Sequence, residues 1–472
     1  MTSKLAVLGA GVALFASIAA WGFTVDDALI PIAYARHLAA GLGYRFSPHG
    51  APSDGVTPLP WAFLLVPFVA ADAMTTLVRV KAFGVAVHTA TGALLGIAAA
   101  RASTNADTKA PALVASCALV LQGLVFPVGA YAASGMETGL ATALATVAAT
   151  CLGSRPKLTA AVAGFAACLR PEMVGWACFV GAGAFVIARG PSDETPRANQ
   201  DIARRVFVGA SLAAAPFVVC ATIRLAVFGR AAPLAVLAKP SDLGHGFVYA
   251  AAAAVFLVLP LVTLAPRALR RADGPTRVLA LALVVHLVVV VLAGGDWMPW
   301  ARLVVPVAPS LVLVFVGIAK VSARGVVAAR IVAGAALAAF FASKNAPEGR
   351  TIMRDRTELV LRARPLLADV KTVAALDIGW VSAATEADIV DLAGLTDAQI
   401  AMLPGGHTSK RVDTTMLLDR NVDALVVYGA PRVVEARLVR DPLFRERFEL
   451  RETIPFGSRG ATYAIYRRKL TP

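Results

Sequence analysis

Hydrophobic and polar positions in the first 340 residues segregate into long blocks instead of alternating within each element. Apolar runs cover 5–23, 59–78, 82–100, 111–130, 138–152, 158–188, 206–228, 247–265, 278–293, 303–318 and 326–341. A run of ~20 mostly apolar residues suffices to cross a bilayer, so the pattern predicts about eleven spanning helices. The 158–188 stretch is too long for one simple crossing, and Pro171 divides it into two short helices. The opening run carries a single Lys, Lys4, and reads as a retained first helix, not a cleaved leader. From about residue 345 the pattern changes. Apolar segments at 372–378, 388–392, 422–428 and 461–466 have strand length, with charged, helix-like stretches such as 431–440 between them. The expected architecture is a polytopic α-helical membrane domain over 1–344, with a first outer loop at 24–58. A small extracytoplasmic α/β domain follows over 345–472. No internal repeat stands out.

Composition strengthens this reading. The chain has 472 residues, of which 58% are hydrophobic and 16% charged. Ordinary globular domains are about 25% charged, and a single soluble core stops growing near ~250–300 residues. The composition therefore argues strongly against a soluble enzyme, a disordered chain and a disulfide-stapled secreted module. The formal net charge of +15 sits mostly in loops and in the C-terminal segment, which suits membrane topology and anionic headgroups, not nucleic acid. Arg267, Arg270, Arg271 and Arg277 mark one cytoplasmic loop, Lys320, Arg324 and Arg330 a second, and Arg189, Arg197, Arg204 and Arg205 a third. Residues 24–58, 229–246, 294–302 and everything after 341 then face outward. Arg79/Lys81, Arg101/Lys109 and Arg155/Lys157 do not fit simple alternation. Cys117, Cys151, Cys168, Cys178 and Cys220 lie in or beside apolar runs and read as small buried hydrophobes.

The candidate chemistry gathers at the outer ends of the spans. Asp26 and Asp27 directly follow the first apolar run, where acids are expensive and tend to be functional. Two neighbouring carboxylates can serve as base and orienter, share a divalent cation such as Mg or Mn, or simply open a helix. Arg224, Lys239 and Arg302 are outward cations suited to phosphate. Arg170 reads equally as a snorkelling residue. Glu137 and Glu172 open helices, and Asp296 opens a Gly-Gly-Asp turn beside Trp297. His88 and His286 read as core residues, while His407 belongs to a surface loop of the C-terminal domain.

The ordered set of these residues resembles a known family. Asp26-Asp27-Ala28, then Tyr34-Ala-Arg36, Gly41 and Gly43, are followed by Asp54-Gly-Val-Thr57 and Pro58-Leu-Pro-Trp61. Downstream come Ser134-Gly-Met-Glu137-Thr, Arg170-Pro-Glu172, Arg224 through Gly229 with Pro233 and Lys239, and Gly294-Gly-Asp296-Trp297-Met-Pro with Arg302. Asp377-Ile-Gly379, the 391–397 segment and Gly406-His407-Thr close the series. Together they resemble the C superfamily (GT-C) of membrane glycosyltransferases, and within it the polyprenyl-phosphate-sugar enzymes of the mycobacterial terminal arabinofuranosyltransferase and mannosyltransferase kind. Val56, Asp54, Pro60 and Leu234 depart from the family pattern, and these departures bear on sugar and acceptor identity more than on reaction class.

The resemblance implies an inverting glycosyltransferase of the plasma membrane, with active site and C-terminal domain extracytoplasmic. Its donor is a polyprenyl-phosphate sugar, and its acceptor an envelope polysaccharide or glycolipid. It implies Asp26 or Asp27 as base and Arg224, Lys239 and Arg302 as donor-phosphate ligands. Substrate contacts fall to Tyr34, Arg36, Asp54, Thr57, Trp61, Glu137, Arg170, Glu172, Asp296, Trp297 and His407. The competing readings are a transporter or flippase of lipid-linked or anionic substrates, which favours mid-membrane charges and repeated halves, and a non-catalytic glycan-binding membrane scaffold.

Overall fold

A computed structural model describes residues 1–104, 111–188, 198–258, 266–457 and 460–469. The expected loop cations Lys109, Arg189 and Arg197, and the end of the 247–265 run, lie outside them. Of the described residues 68% are helical, and the chain divides into two compact units. One comprises Met1–Phe23, Lys81–Cys220 and Ser241–Arg350; the other comprises Thr24–Val80, Ala221–Pro240 and Thr351–Pro472.

Against the expected spans, five helices among the described residues are long and apolar enough to cross a membrane, or six if one bent pair counts as a span. Six more apolar helices are shorter, at 10–17 residues. The 111–130 run is the bent pair, Pro111–Leu124 and Phe126–Ala132, turned through 64° at Val125. The 158–188 run breaks into Pro156–Leu169 and Val174–Ile187, with Pro171 in the gap. The sequence reading misplaced one boundary. Runs 59–78 and 82–100 are not separated at Arg79–Lys81; that stretch lies inside one 32-residue helix, Ala73–Thr104. The break falls earlier because Pro67 disrupts the short helix that starts at Leu59. Asp72 then restarts the helix by accepting the Thr75 amide at 2.9 Å.

In the first unit the helices pack through small residues. Gly92 and Gly96 form a small-xxx-small stripe against the opening helix Thr2–Ala19. A Cβ on Gly92 would stand 2.3 Å from the Gly9 carbonyl oxygen, and one on Gly96 2.0 Å from that of Leu5. Backbone packs directly on backbone here, so Gly92→Val is expected to push the two helices apart and lower the thermal unfolding midpoint of the detergent-solubilised protein. Gly11→Val is the control, because nothing lies within 4 Å of a Cβ at Gly11.

The second unit is built on a five-stranded sheet: β1 Thr372–Ala375, β2 Asp388–Asp391, β3 Ala424–Tyr428, β4 Phe448–Phe456 and β5 Ala461–Arg468, in the order β2-β1-β3-β5-β4. The first three strands are parallel, and β5 and β4 add antiparallel. Four of the five match the expected segments. β4 escapes sequence reading because it is a charged edge strand with Pro455 near its end. The other edge, β2, is covered: the Ser47 hydroxyl accepts the Ile389 amide at 2.9 Å, and Asp388 accepts the His49 amide at 3.0 Å. Residues 24–80 thus belong with the C-terminal segment, not with a 1–344 domain. The 221–240 stretch joins them, with the Leu234 amide donating to the Asp54 carbonyl at 3.1 Å.

Candidate functional site

Asp26 opens a single 3-10 turn, Asp26–Ala28, after an extended Val25. Its carboxylate is almost fully engaged. Oδ1 accepts Arg356 Nη1 at 2.6 Å and the Trp380 amide at 2.9 Å; Oδ2 accepts the Gly379 amide at 2.8 Å. Arg356 comes from the Ile352–Leu367 helix, is buried, and lies over the Phe456 ring. Gly379 and Trp380 open the helix Ile378–Ala384 that follows β1. The position requires glycine, since a Cβ on Gly379 would meet the Asp26 carbonyl oxygen at 2.1 Å and its Oδ2 at 2.8 Å. Burial pushes the Asp26 carboxyl up to about 6; Arg356 opposes this, and the neighbouring Asp377 and Asp27 add to it.

Asp377 sits one residue before that helix. Its Oδ1 accepts Arg432 Nη1 and its Oδ2 the Tyr463 hydroxyl, both at 2.7 Å. Burial opposes its charge, but the Arg432 guanidinium outweighs burial, aided by Tyr463 and Arg356, and holds its carboxyl below the usual range. The two neighbouring acids are therefore pushed apart, Asp26 upward by burial and Asp377 downward by Arg432. Asp27 is half-buried and hydrogen-bonds to no described residue.

The remaining expected residues of this unit build the loop. Tyr34 is buried, shares a 2.8 Å hydrogen bond with Ser53 and accepts the Gly55 amide at 3.1 Å. Arg36 pairs with Glu386 at 2.7 Å. Trp61 is buried. Asp54 and Arg224, expected in separate substrate and phosphate roles, form one buried ion pair at 2.8 Å. Arg224 Nη2 also donates to the carbonyls of Thr57 at 2.5 Å and Val56 at 3.2 Å. Its charge is matched inside the protein, and the pair pins the 54–57 loop. Burial raises the Asp54 carboxyl, Arg224 offsetting part of that effect. Lys239 follows the short helix Leu234–Ala238 and is half-buried. His407 lies in the loop between the helices Ala398–Ala401 and Thr414–Asp419.

The first unit holds a second polar cluster among apolar helices. Arg170 bridges Glu137 at 2.7 Å and Glu172 at 2.6 Å, and all three are largely shielded from solvent. Arg302 pairs with Asp296 at 2.7 Å. The turn carrying them is strained: Trp300 and Ala301 have φ of 60° and 55°, rare for residues with side chains. Packing enforces it. Trp300 is wedged against Phe23 and Phe126 and donates to Asn345 at 2.8 Å. The Tyr249 hydroxyl accepts the Leu303 amide at 3.0 Å, and the Tyr131 hydroxyl donates to the Pro299 carbonyl at 2.7 Å. Trp297, 69% exposed, stacks on His245 at 4.7 Å. His88 and His286 are buried, and His286 bonds the Leu303 carbonyl.

Sequence reasoning missed Arg356, Arg432 and Tyr463, which carry no local motif. It did register the Asp377-Ile-Gly379 segment that receives Asp26. Among the described residues no group of three or more His, Cys, Asp or Glu is placed to hold a metal ion. Three donors occupy the Asp26 oxygens, two on Oδ1 and one on Oδ2, and leave one acceptor position on Oδ2.

A family described as Domain of unknown function (DUF8728) matches residues 341–466. No curated protein and no solved structure matches the chain.

Proposed function

We propose that this chain is an inverting glycosyltransferase of a cell membrane, moving a sugar from a polyprenyl-phosphate donor to an extracytoplasmic envelope glycan or glycolipid. In this reading the apolar helices cross the bilayer, and residues 24–58 and the C-terminal segment face outward. The observation that carries it is the placement of Asp26: a half-buried carboxylate fixed by an arginine and two amides, its carboxyl pushed up to about 6. That is the range in which a general base works at neutral pH. The ordered motif series supports the donor and the reaction class.

In the proposed step the acceptor hydroxyl oxygen bonds to the anomeric carbon as its proton passes to Asp26. The bond from that carbon to the phosphate oxygen breaks, with inversion. The departing polyprenyl phosphate carries the negative charge away and needs cationic stabilisation. The resemblance gives that task to Lys239, which lies in the same unit as Asp26, while Arg224 is committed to Asp54 and acts on the loop, and Arg302 is paired with Asp296. Arg170, Glu137 and Glu172 are a structural network in this reading.

The test is a transfer assay on the full-length protein in nanodiscs, using a panel of radiolabelled polyprenyl-phosphate sugars with envelope extract. Label is expected to move to an acceptor, and chelator is expected to leave the rate unchanged. A donor that binds without being consumed would replace this reading with the transporter or scaffold.

A further inference from the structure

The C-terminal α/β segment has a place where such sheets commonly receive ligands. Strands β2, β1 and β3 are parallel, and the connections after β1 and β3 diverge at their carboxyl ends, where open α/β sheets form a crevice. Asp377 and the Gly379 and Trp380 amides stand after β1, and Arg432 after β3. The two amides hold the chain's own Asp26, while Arg432 is paired with Asp377, whose charge lies near enough to push the Asp26 carboxyl up. Residues 24–80 are fastened beside it at independent points: Arg36 to Glu386, Ser47 to Ile389, and Asp72 to Arg364.

We infer that Arg356, with the backbone N–H groups of Gly379 and Trp380, is a positioning device that holds the Asp26 carboxylate in its working place and charge state. The C-terminal segment is thus part of the base's site and not a separate glycan-binding module. The inference rests on the transferase reading. Arg356 contributes in two ways: its Nη1 fixes Oδ1 at 2.6 Å, and its cation favours the ionised acid. The two amides fix the remaining orientation, and only glycine at 379 lets them approach. The other groups facing Asp26 are Asp377 from the turn after β1, Asp27 on its own turn and Tyr463 from β5, with Arg432 paired to Asp377.

The test uses full-length protein in nanodiscs as wild type, Arg356→Gln, Arg356→Lys and Gly379→Ala. Two quantities are followed: the pH profile of kcat for the donor that wild type consumes, and the protonation of Asp26 by infrared difference spectroscopy, with Asp26→Asn as the reference. Arg356→Gln is expected to move both midpoints upward by about one pH unit or more. It should also lower kcat about tenfold or more at pH 6.5, with little change in KM for the donor. Arg356→Lys, which keeps the cation, is expected to restore most of the midpoint. Gly379→Ala should lower kcat with a smaller shift, because it disturbs geometry without removing charge. Unmoved midpoints in Arg356→Gln, in protein that elutes and unfolds like wild type, would overturn the inference. If wild type transfers no label, the transferase reading fails and the infrared titration alone decides: a moved Asp26 midpoint sustains the cradle, an unmoved one ends it.

Discussion

On the proposed transferase reading, Asp26→Asn is expected to reduce sugar transfer by about a thousandfold, the middle of the range for losing a positioned general base. The substitution keeps the size and planarity of the side chain. Its amide oxygen can still accept from the Gly379 or Trp380 amide, so the 24–80 loop should stay seated. What disappears is the proton acceptor. Donor KM should change little, since the lost interaction develops with the transition state. Asp27→Asn is the internal comparison. Asp27 hydrogen-bonds to no described residue and influences Asp26 only through its charge, so a fall of less than about tenfold is expected. The pH dependence follows from the same carboxyl. Burial sets it near 6, and a base must be unprotonated to act, so wild-type kcat should fall as pH drops through about 6 and level off above it. A profile flat across that range, or an Asp27→Asn variant more damaged than Asp26→Asn, would move the base elsewhere.

Much of this molecule was legible in the sequence because its strongest signals are local. Apolar block length marked the helices, Pro171 marked a break, and strand-length apolar runs marked four of five strands. Arg170 and Glu172, and Asp296 and Arg302, pair over two and six positions, so proximity in sequence became proximity in space. The illegible parts are long-range. Arg356 reaches Asp26 across 330 positions, and Arg224 reaches Asp54 across 170. Periodicity does not encode which distant cation finds which acid. The 1–344 grouping differs from the structure for the same reason: residues 24–58 read as an outer loop and 59–78 as a span of the helical region, yet residues 24–80 group with the C-terminal segment, with hydrogen bonds to β2 and to the helix after β1. The misplaced break at Arg79–Lys81 has a different origin. Two nearby cations resemble a loop, but Lys81 is fully buried and donates to the carbonyls of Phe23 and Ala133 at 2.5 Å, which lets it sit inside a helix.

The second large effect is expected at Arg170, and it concerns stability. Two readings of this residue differ sharply in what Arg170→Met would do. A snorkelling arginine has its charge in water, so Met would replace an exposed group with an apolar one and change little. In the structure the Arg170 side chain is 6% exposed, and its partners Glu137 and Glu172 are 3% and 10% exposed. Removing the cation strands two shielded carboxylates among apolar helices. Breaking a buried pair in this way typically costs ~3–5 kcal/mol, because the uncompensated charge remains. The full-length protein in detergent should therefore show a large fall in its thermal unfolding midpoint with Arg170→Met. Exposed pairs set the baseline: Arg205→Ala, which breaks a half-exposed contact with Asp201, should cost under ~1 kcal/mol. The decisive variant is the triple substitution Arg170→Met, Glu137→Gln, Glu172→Gln. If the loss arises from stranded charge, neutralising both acids should recover most of the midpoint even though no ion pair returns. If the triple variant is as unstable as Arg170→Met alone, the loss comes from the shape and packing of the guanidinium, and the network is not electrostatic in origin.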